Sequence, residues 1–147
     1  MAEPTGFPIA QPEEDLFLRR KQTEPLERSA LARIGEEAAA RALLDRGYRI
    51  IERNYRSRGG EIDLIARQGN ELVFVEVKAR TRTDYGTPAQ GVTRAKERKL
   101  IGLADSYVAG RVRREVRWRF DIVEVHLTPA GKVTQVNVLP GAFRPTV

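Results

Sequence analysis

Asp63, Glu76 and Lys78 are the residues of this chain whose types and spacing most readily do chemistry. They lie in GGEIDLIARQGNELVFVEVKAR, residues 59–80, two alternating stretches around Gln68-Gly69-Asn70-Glu71 that read as strands joined by a tight turn. Pairing about a turn centred between Gly69 and Asn70 sets Asp63 opposite Glu76, and Glu61 opposite Lys78. Opposed Cβ atoms on antiparallel strands are about 4.5–5.5 Å apart, where like charges repel. At a separation of about 4 Å and an effective dielectric near 20, that repulsion is of order 4 kcal/mol. Lys78 offsets part of it. A hard divalent cation offsets it better, because Mg²⁺ takes one or two carboxylates together with phosphate oxygens and water. The alternative is a solvated hairpin face laced with cross-strand ion pairs. Ile65, Leu72 and Phe74 share that face at the turn end, which places the acids at the margin of a packed layer.

A third acid comes from the element before the hairpin. Periodicity predicts a helix from Ser29, as N-cap, to Arg46, with Gly47 as its stop. Ala32, Glu36, Ala39, Ala40, Leu43 and Gly47 fall on one stripe of it. An acid on such a face is costly unless it is paired or bound to a metal; an arginine across the packing seam is the other solution for Glu36. Glu37 reads as ordinary surface. On the second face of the hairpin, Ile62, Leu64, Ala66, Val73, Val75, Val77 and Ala79 make an unbroken apolar surface that the helices must cover.

The remaining elements follow in order. Tyr48–Arg56 reads as a strand leading into Arg56-Ser57-Arg58-Gly59-Gly60, a turn whose glycines let backbone approach a phosphate, or an ordinary hairpin turn. Thr81–Gly91 is a loop. A helix is predicted over Thr93–Ala109, with Arg94, Lys96, Arg98 and Lys99 in its first turns, a run that equally suits a solvated helix face. Strands are predicted at Trp118–His126 and, at an edge, Lys132–Leu139. The order α-β-β-β-α-β-β predicts an α/β fold, a central mixed sheet flanked by helices. P-loop, Rossmann and nucleophile-elbow motifs are absent, and the single histidine, His126, ends a strand and is not expected to be catalytic.

Composition bounds the partners. The chain has 147 residues, enough for one core, and a net charge of +6 from 26 Lys+Arg against 20 Asp+Glu. Arginine supplies most of that charge and suits bidentate contacts to phosphate, so a polyanion is expected as partner. Without cysteine there are no disulfides and no thiolate zinc sites. No apolar run reaches the roughly 18 residues of a membrane span and no leader pattern is evident, so a cytoplasmic protein is expected. Residues 1–28, punctuated by prolines and carrying six acids against four bases, read as a flexible tail. A helical turn over Glu13–Gln22 is the one element considered there, as a home for Leu16, Phe17 and Leu18. The domain is expected over 29–140, followed by a short C-terminal tail, 141–147.

The helix acid, then Asp63, then Glu76-Val77-Lys78, resembles the active site of the PD-(D/E)xK nuclease superfamily. More closely, GEEAAARALLDRGYRIIERNYRSRGGEIDLIARQGNELVFVEVKAR resembles the YraN family of bacterial proteins grouped with endonucleases and related to archaeal Holliday-junction resolvases. The likeness continues through VTRAKERKL and RFDIVEV, covering roughly residues 30–127. It departs from the superfamily pattern where Ile62, not proline, precedes Asp63, and where Lys96 and Lys99 stand in the region of a helix glutamine. The resemblance implies a restriction-endonuclease-like αβββαβ core and metal-dependent hydrolysis of phosphodiester bonds in DNA, branched or junction DNA included. It implies Mg²⁺ or Mn²⁺ held by Glu36, Asp63 and Glu76 with the carbonyl of Val77, and Lys78 orienting the attacking water and stabilising transition-state charge. Arg56, Arg58, Arg80, Arg82, Lys96 and Lys99 become candidates to grip backbone phosphates, with Glu61 supporting the ligands from behind. The expected partner is nucleic acid, DNA first, with no membrane and with a homodimer left open. The alternative is a non-catalytic nucleic-acid-binding protein that keeps the fold.

Overall fold

A run of strong helix formers, Ala38 to Leu44, sustains helix α1 (Arg28–Asp45). Gly47, with φ +85°, ends it, and the Tyr48 N–H turns back to the Leu43 carbonyl. The N-cap is Glu27, which makes no side-chain capping bond; Ser29, expected in that role, lies inside the first turn. The computed structural model describes residues 24–81, 93–111 and 115–143. The Glu13–Gln22 turn, the loop around Tyr85 and Pro88, and Arg82 lie outside those residues.

Strands β1 (Arg49–Ser57), β2 (Gly60–Gln68) and β3 (Glu71–Thr81) form an antiparallel meander. Helix α2 (Arg94–Arg111) follows, then β4 (Arg117–Leu127) and β5 (Val133–Phe143). The five strands make one mixed sheet in the order β1-β2-β3-β4-β5, in which β3 and β4 run parallel and the other pairs antiparallel. A parallel pair needs a long crossover, and α2 lies in it. Alternation along the central strands divides the core. Leu64, Ala66, Val73, Val75, Val123 and Val125 pack with Ala39, Ala40 and Leu43 of α1. Ile65, Leu72, Phe74, Phe120 and Ile122 pack with Leu100, Leu103, Ala104 and Tyr107 of α2. The expected α/β fold, a mixed sheet with helices on it, is the observed one, with a helix covering each face.

One expectation about those faces fails. Ile62 belongs to the cluster under α2, whereas Leu64 belongs to the cluster under α1, so the apolar surface expected to run unbroken along the hairpin changes sides at Asp63. The end of the chain differs too: β5 continues past Leu139 to Phe143, whose ring stacks on Phe120 at 4.4 Å between centroids. The reason lies beneath it. Asp121, fully buried, accepts from the Gly141 N–H (2.8 Å), the Tyr48 hydroxyl (2.7 Å) and Arg119 Nε (2.9 Å). Arg119 in turn reaches Glu71 and Gln68 at the β2–β3 turn. Burial disfavours the Arg119 charge, but its bonds to Asp121 and Glu71 outweigh that and hold its proton more firmly than usual. This network ties α1's exit, the hairpin turn and β5 together at the end of the sheet away from Asp63. Among the described residues no helix is long and apolar enough to cross a membrane.

Candidate active site

The site is made by strands that part. The β2–β3 ladder follows the expected register from Gln68↔Glu71 to Leu64↔Val75 and then stops. The facing pairs Asp63↔Glu76 and Glu61↔Lys78, expected by extending that register, are therefore not in the ladder. Past this point β2 pairs only with β1, and β3 only with β4. A separating strand leaves a backbone donor without its partner, and Asp63 supplies one: its Oδ2 accepts the Val77 N–H at 2.8 Å. On the other side of β2, Asn54 takes φ +52° and is skipped between Arg53↔Leu64 and Tyr55↔Ile62. Asparagine tolerates that left-handed conformation. The irregularity faces Asp63 and accounts for the change of sides between Leu64 and Ile62.

Glu36 arrives from α1. Gly35 beside it is buried, and a Cβ there would stand 2.9 Å from the Cβ of Ala79 on β3, so glycine allows α1 to close on the sheet at this level. Glu36, Asp63, Glu76 and Val77, with Ala32 and Thr81 among the other walls, surround one cavity of about 530 Å³. The three acids from three elements thus share one space. Lys78 is not in its wall. By alternation it leaves β3 on the α2 side with Glu76, and in the parallel register it lies beside the buried Glu124. Glu76 Oε1 holds Lys96 Nζ at 2.5 Å, an ion pair that the sequence reading, which assigned Lys96 to phosphate, did not foresee.

Electrostatics mark the same residues. Burial, then Glu76, raises the Asp63 carboxyl to about 7 against the opposing Val77 hydrogen bond, and Glu36 and Glu61 push the same way. Glu36 is raised by burial and by Glu61, with a hydrogen bond to Asn54 working against them. Lys78 is lowered by burial and by the charges of Arg80 and Lys96, while Glu76 and Glu124 oppose that shift. These carboxylates and the Val77 carbonyl are hard oxygen donors of residues around one cavity, and the raised Asp63 is what burial beside other acids produces. By charge and donor type they suit Mg²⁺ or Mn²⁺. Among the described residues, however, no three acids or histidines stand close enough to form a finished metal group. Closing on a cation requires the acids to draw together and Glu76 to exchange the Lys96 ammonium.

The basic candidates divide. Lys96 and Lys99, on the exposed first turns of α2, line a second cavity of about 480 Å³ together with Gly60, Glu61 and Thr93. Arg56 and Arg58 are exposed at the neighbouring β1–β2 turn, with Arg56 Nε 3.7 Å from Glu61. Glu61 therefore belongs to the wall of this second cavity and not to that of the first. Arg80 is half-buried on β3. Asn54, Asp121 and Arg119 were missed. Their signals were an asparagine inside a strand and two opposite charges, Arg119 and Asp121, flanking Phe120 on β4.

Comparison with known proteins spans Glu36, Asp63, Glu76, Val77 and Lys78. A family model described as uncharacterised protein family UPF0102 matches residues 35–125. A UPF0102 protein of Symbiobacterium thermophilum is 54% identical over 109 residues, 74% of this chain and 92% of that protein. One from Rhodococcus opacus is 50% identical over 114 residues, 78% of this chain and 96% of its own length. Another, from Moorella thermoacetica, is 47% identical over 110 residues, 75% and 92% of the two chains.

Proposed function

This chain belongs to the uncharacterised protein family UPF0102, the YraN family, and we propose that it is a metal-dependent endonuclease hydrolysing phosphodiester bonds in DNA, branched or junction DNA included. The observation that carries this reading is the convergence of Glu36, Asp63 and Glu76, from α1, β2 and β3, on a single cavity at the point where two strands part. A fold that only bound phosphate would gain nothing from three acids there, since each repels the ligand.

Glu36, Asp63, Glu76 and the Val77 carbonyl would hold Mg²⁺ or Mn²⁺, which polarises a phosphoryl oxygen and makes hydroxide available near neutral pH. The chain's own residues do the rest. The Val77 N–H holds one oxygen of the Asp63 carboxylate, which limits the reorientation that ligand would need. Lys78, two residues past Glu76 on β3 and outside the cavity wall, would reach in to orient the attacking water and place positive charge beside the phosphate as negative charge builds on it. Its lowered proton affinity lets it exchange a proton with that water more readily than an ordinary lysine. Arg56, Arg58 and Lys99 lie on the exposed side where flanking phosphates would run, and Arg80 and Arg82 are further candidates for the same task.

A labelled four-way junction and a matched duplex, incubated with Mg²⁺, Mn²⁺ or a chelator, test the reading. Nicks are expected only with metal, and Asp63→Asn should abolish them. One observation favours the second reading, a nucleic-acid-binding protein without catalysis: the three acids are not drawn into a finished metal group. Tight binding of nucleic acid with no metal-dependent cleavage of any of these substrates would decide for it.

A further inference from the structure

Lys96 links the two cavities. Its residue lines the groove with Lys99, Gly60 and Thr93, while its Nζ reaches across to Glu76, which lines the carboxylate cavity. The root of its side chain is fixed: the Lys96 N–H donates to Thr93 Oγ1 at 3.2 Å at the start of α2. The tip is not. Its side chain is 50% exposed, whereas that of Glu76 is 11% exposed. Glu76 is thus the buried, fixed partner, and Lys96 the one that can swing on a flexible stem. The groove offers it an alternative anion. Lys99 lines the groove too, its Cε 3.2 Å from where a Cβ on Gly60 would stand, so that two lysines and the first turn of α2 border one space. Glu61 is the acid in that wall, and Arg56 stands 3.7 Å from it.

We propose that Lys96 is a transferable counter-charge: it neutralises Glu76 until a nucleic-acid phosphate in the Gly60–Thr93–Lys99 groove draws it away, so that phosphate binding opens Glu76 to a divalent cation. This rests on the reading of Glu76 as a metal ligand and adds to it an order of events. A monovalent ammonium and a divalent ion compete for the same carboxylate, so an empty protein holds metal weakly. A phosphate that takes the ammonium removes the competitor, and the cation must by linkage tighten phosphate binding by the same factor. Lys99, on the same exposed helix turns but with no recorded bond to Glu76, is the natural control.

The test uses the full chain and reads metal binding, not cleavage. Mn²⁺ is titrated calorimetrically into the parent, Lys96→Met, Lys99→Met and Asp63→Asn. Lys96→Met should bind Mn²⁺ about fivefold tighter than the parent. Lys99→Met, which removes the same net charge, should stay within about twofold because a screened distant charge acts weakly. Equal gains in both, or none in Lys96→Met, overturn the proposal. Failure of Asp63→Asn to weaken Mn²⁺ binding removes the metal site itself. A weakened Asp63→Asn beside an unchanged Lys96→Met removes only the role of Lys96. Ca²⁺, which takes the same oxygen donors, is then titrated with and without a short duplex at constant ionic strength. The duplex should tighten Ca²⁺ binding more in the parent than in Lys96→Met, and equal tightening in the two overturns the coupling.

Discussion

Burial and the neighbouring Glu76 raise Asp63 from 3.8 to about 7 in the folded protein, so the native state keeps a proton that the unfolded chain gives up. At acid pH, below the unfolded value, both states are protonated and Asp63 costs nothing. Between 3.8 and about 7 only the unfolded state ionises, and folded stability falls as pH rises. Above that window both are ionised and the loss is constant. The metal-free parent should therefore lose melting temperature across this window, and Asp63→Asn should remove much of the slope and melt higher at mildly alkaline pH. Identical slopes in the two proteins would mean that Asp63 ionises normally. The same substitution, like Glu76→Gln, takes negative charge from the proposed cation site and should weaken Mg²⁺ or Mn²⁺ binding in calorimetric titration. Lys78→Ala leaves all three acids in place and removes a nearby positive charge. Metal affinity should hold or rise while cleavage is lost. An Asp63→Asn protein that binds metal as well as the parent would rule out the nuclease site.

At the scale of elements, the close approach of α1 to β3 sets where Glu36 stands. A methyl group at Gly35 would meet the Ala79 Cβ at 2.9 Å, and neither atom has a flexible end that could yield. Gly35→Ala should cost about 1–3 kcal/mol, as overpacking does, and weaken metal binding by lifting Glu36 from the cavity. Adding Ala79→Gly restores the space. In a thermal-melt double-mutant cycle the pair should show favourable coupling, and strict additivity would show that α1 does not close on β3 at this point. The other end of the sheet depends on Asp121. Asp121→Ala leaves the Gly141 N–H and the Tyr48 hydroxyl without their buried acceptor while Arg119 keeps Glu71, and should destabilise by about 1–3 kcal/mol. Denaturant unfolding measures this. Because Asp121 does not line the carboxylate cavity, any folded fraction should still bind metal.

Across the whole molecule, charge is unevenly distributed. The acidic-leaning first 28 residues precede a strongly basic remainder, and Arg56 and Arg58 are exposed at one turn. If phosphate contacts dominate binding, each contributes about −0.9 to the slope of log K against log salt on duplex DNA. Replacing both arginines by alanine should flatten that slope by roughly one to two units. An unchanged slope would take the turn off the binding surface. Removing residues 1–24 should leave the melting temperature within a few degrees, because Leu26, whose N–H donates to the Pro129 carbonyl, and all of α1 are kept. Failure of the shortened chain to fold would place Leu16 and Phe17 in the core.

Much was legible in local pattern. Period-2 alternation identified β2 and β3 and their register as far as Leu64↔Val75, and the 3.6 period of α1 put Glu36 on its inward side. Residue type and spacing, with the resemblance, singled out Asp63, Glu76 and Lys78. These features depend on neighbours close in the chain, and a single strand or helix is enough to express them. What only the tertiary structure decided depends on where elements stop agreeing with one another. The ladder ends at Leu64 while β3 stays paired with β4 along its whole length, so it is β2 that departs, and no alternation within the hairpin encodes that departure. Asn54 turns back the alternation of β1 and β2, moving Ile62 to the other face. Lys96 lies twenty residues beyond Glu76 and meets it only because α2 crosses back over the sheet between β3 and β4. The sequence by itself determined which groups were available for chemistry; the parting of two strands and the crossing of one helix decided which of them share a cavity.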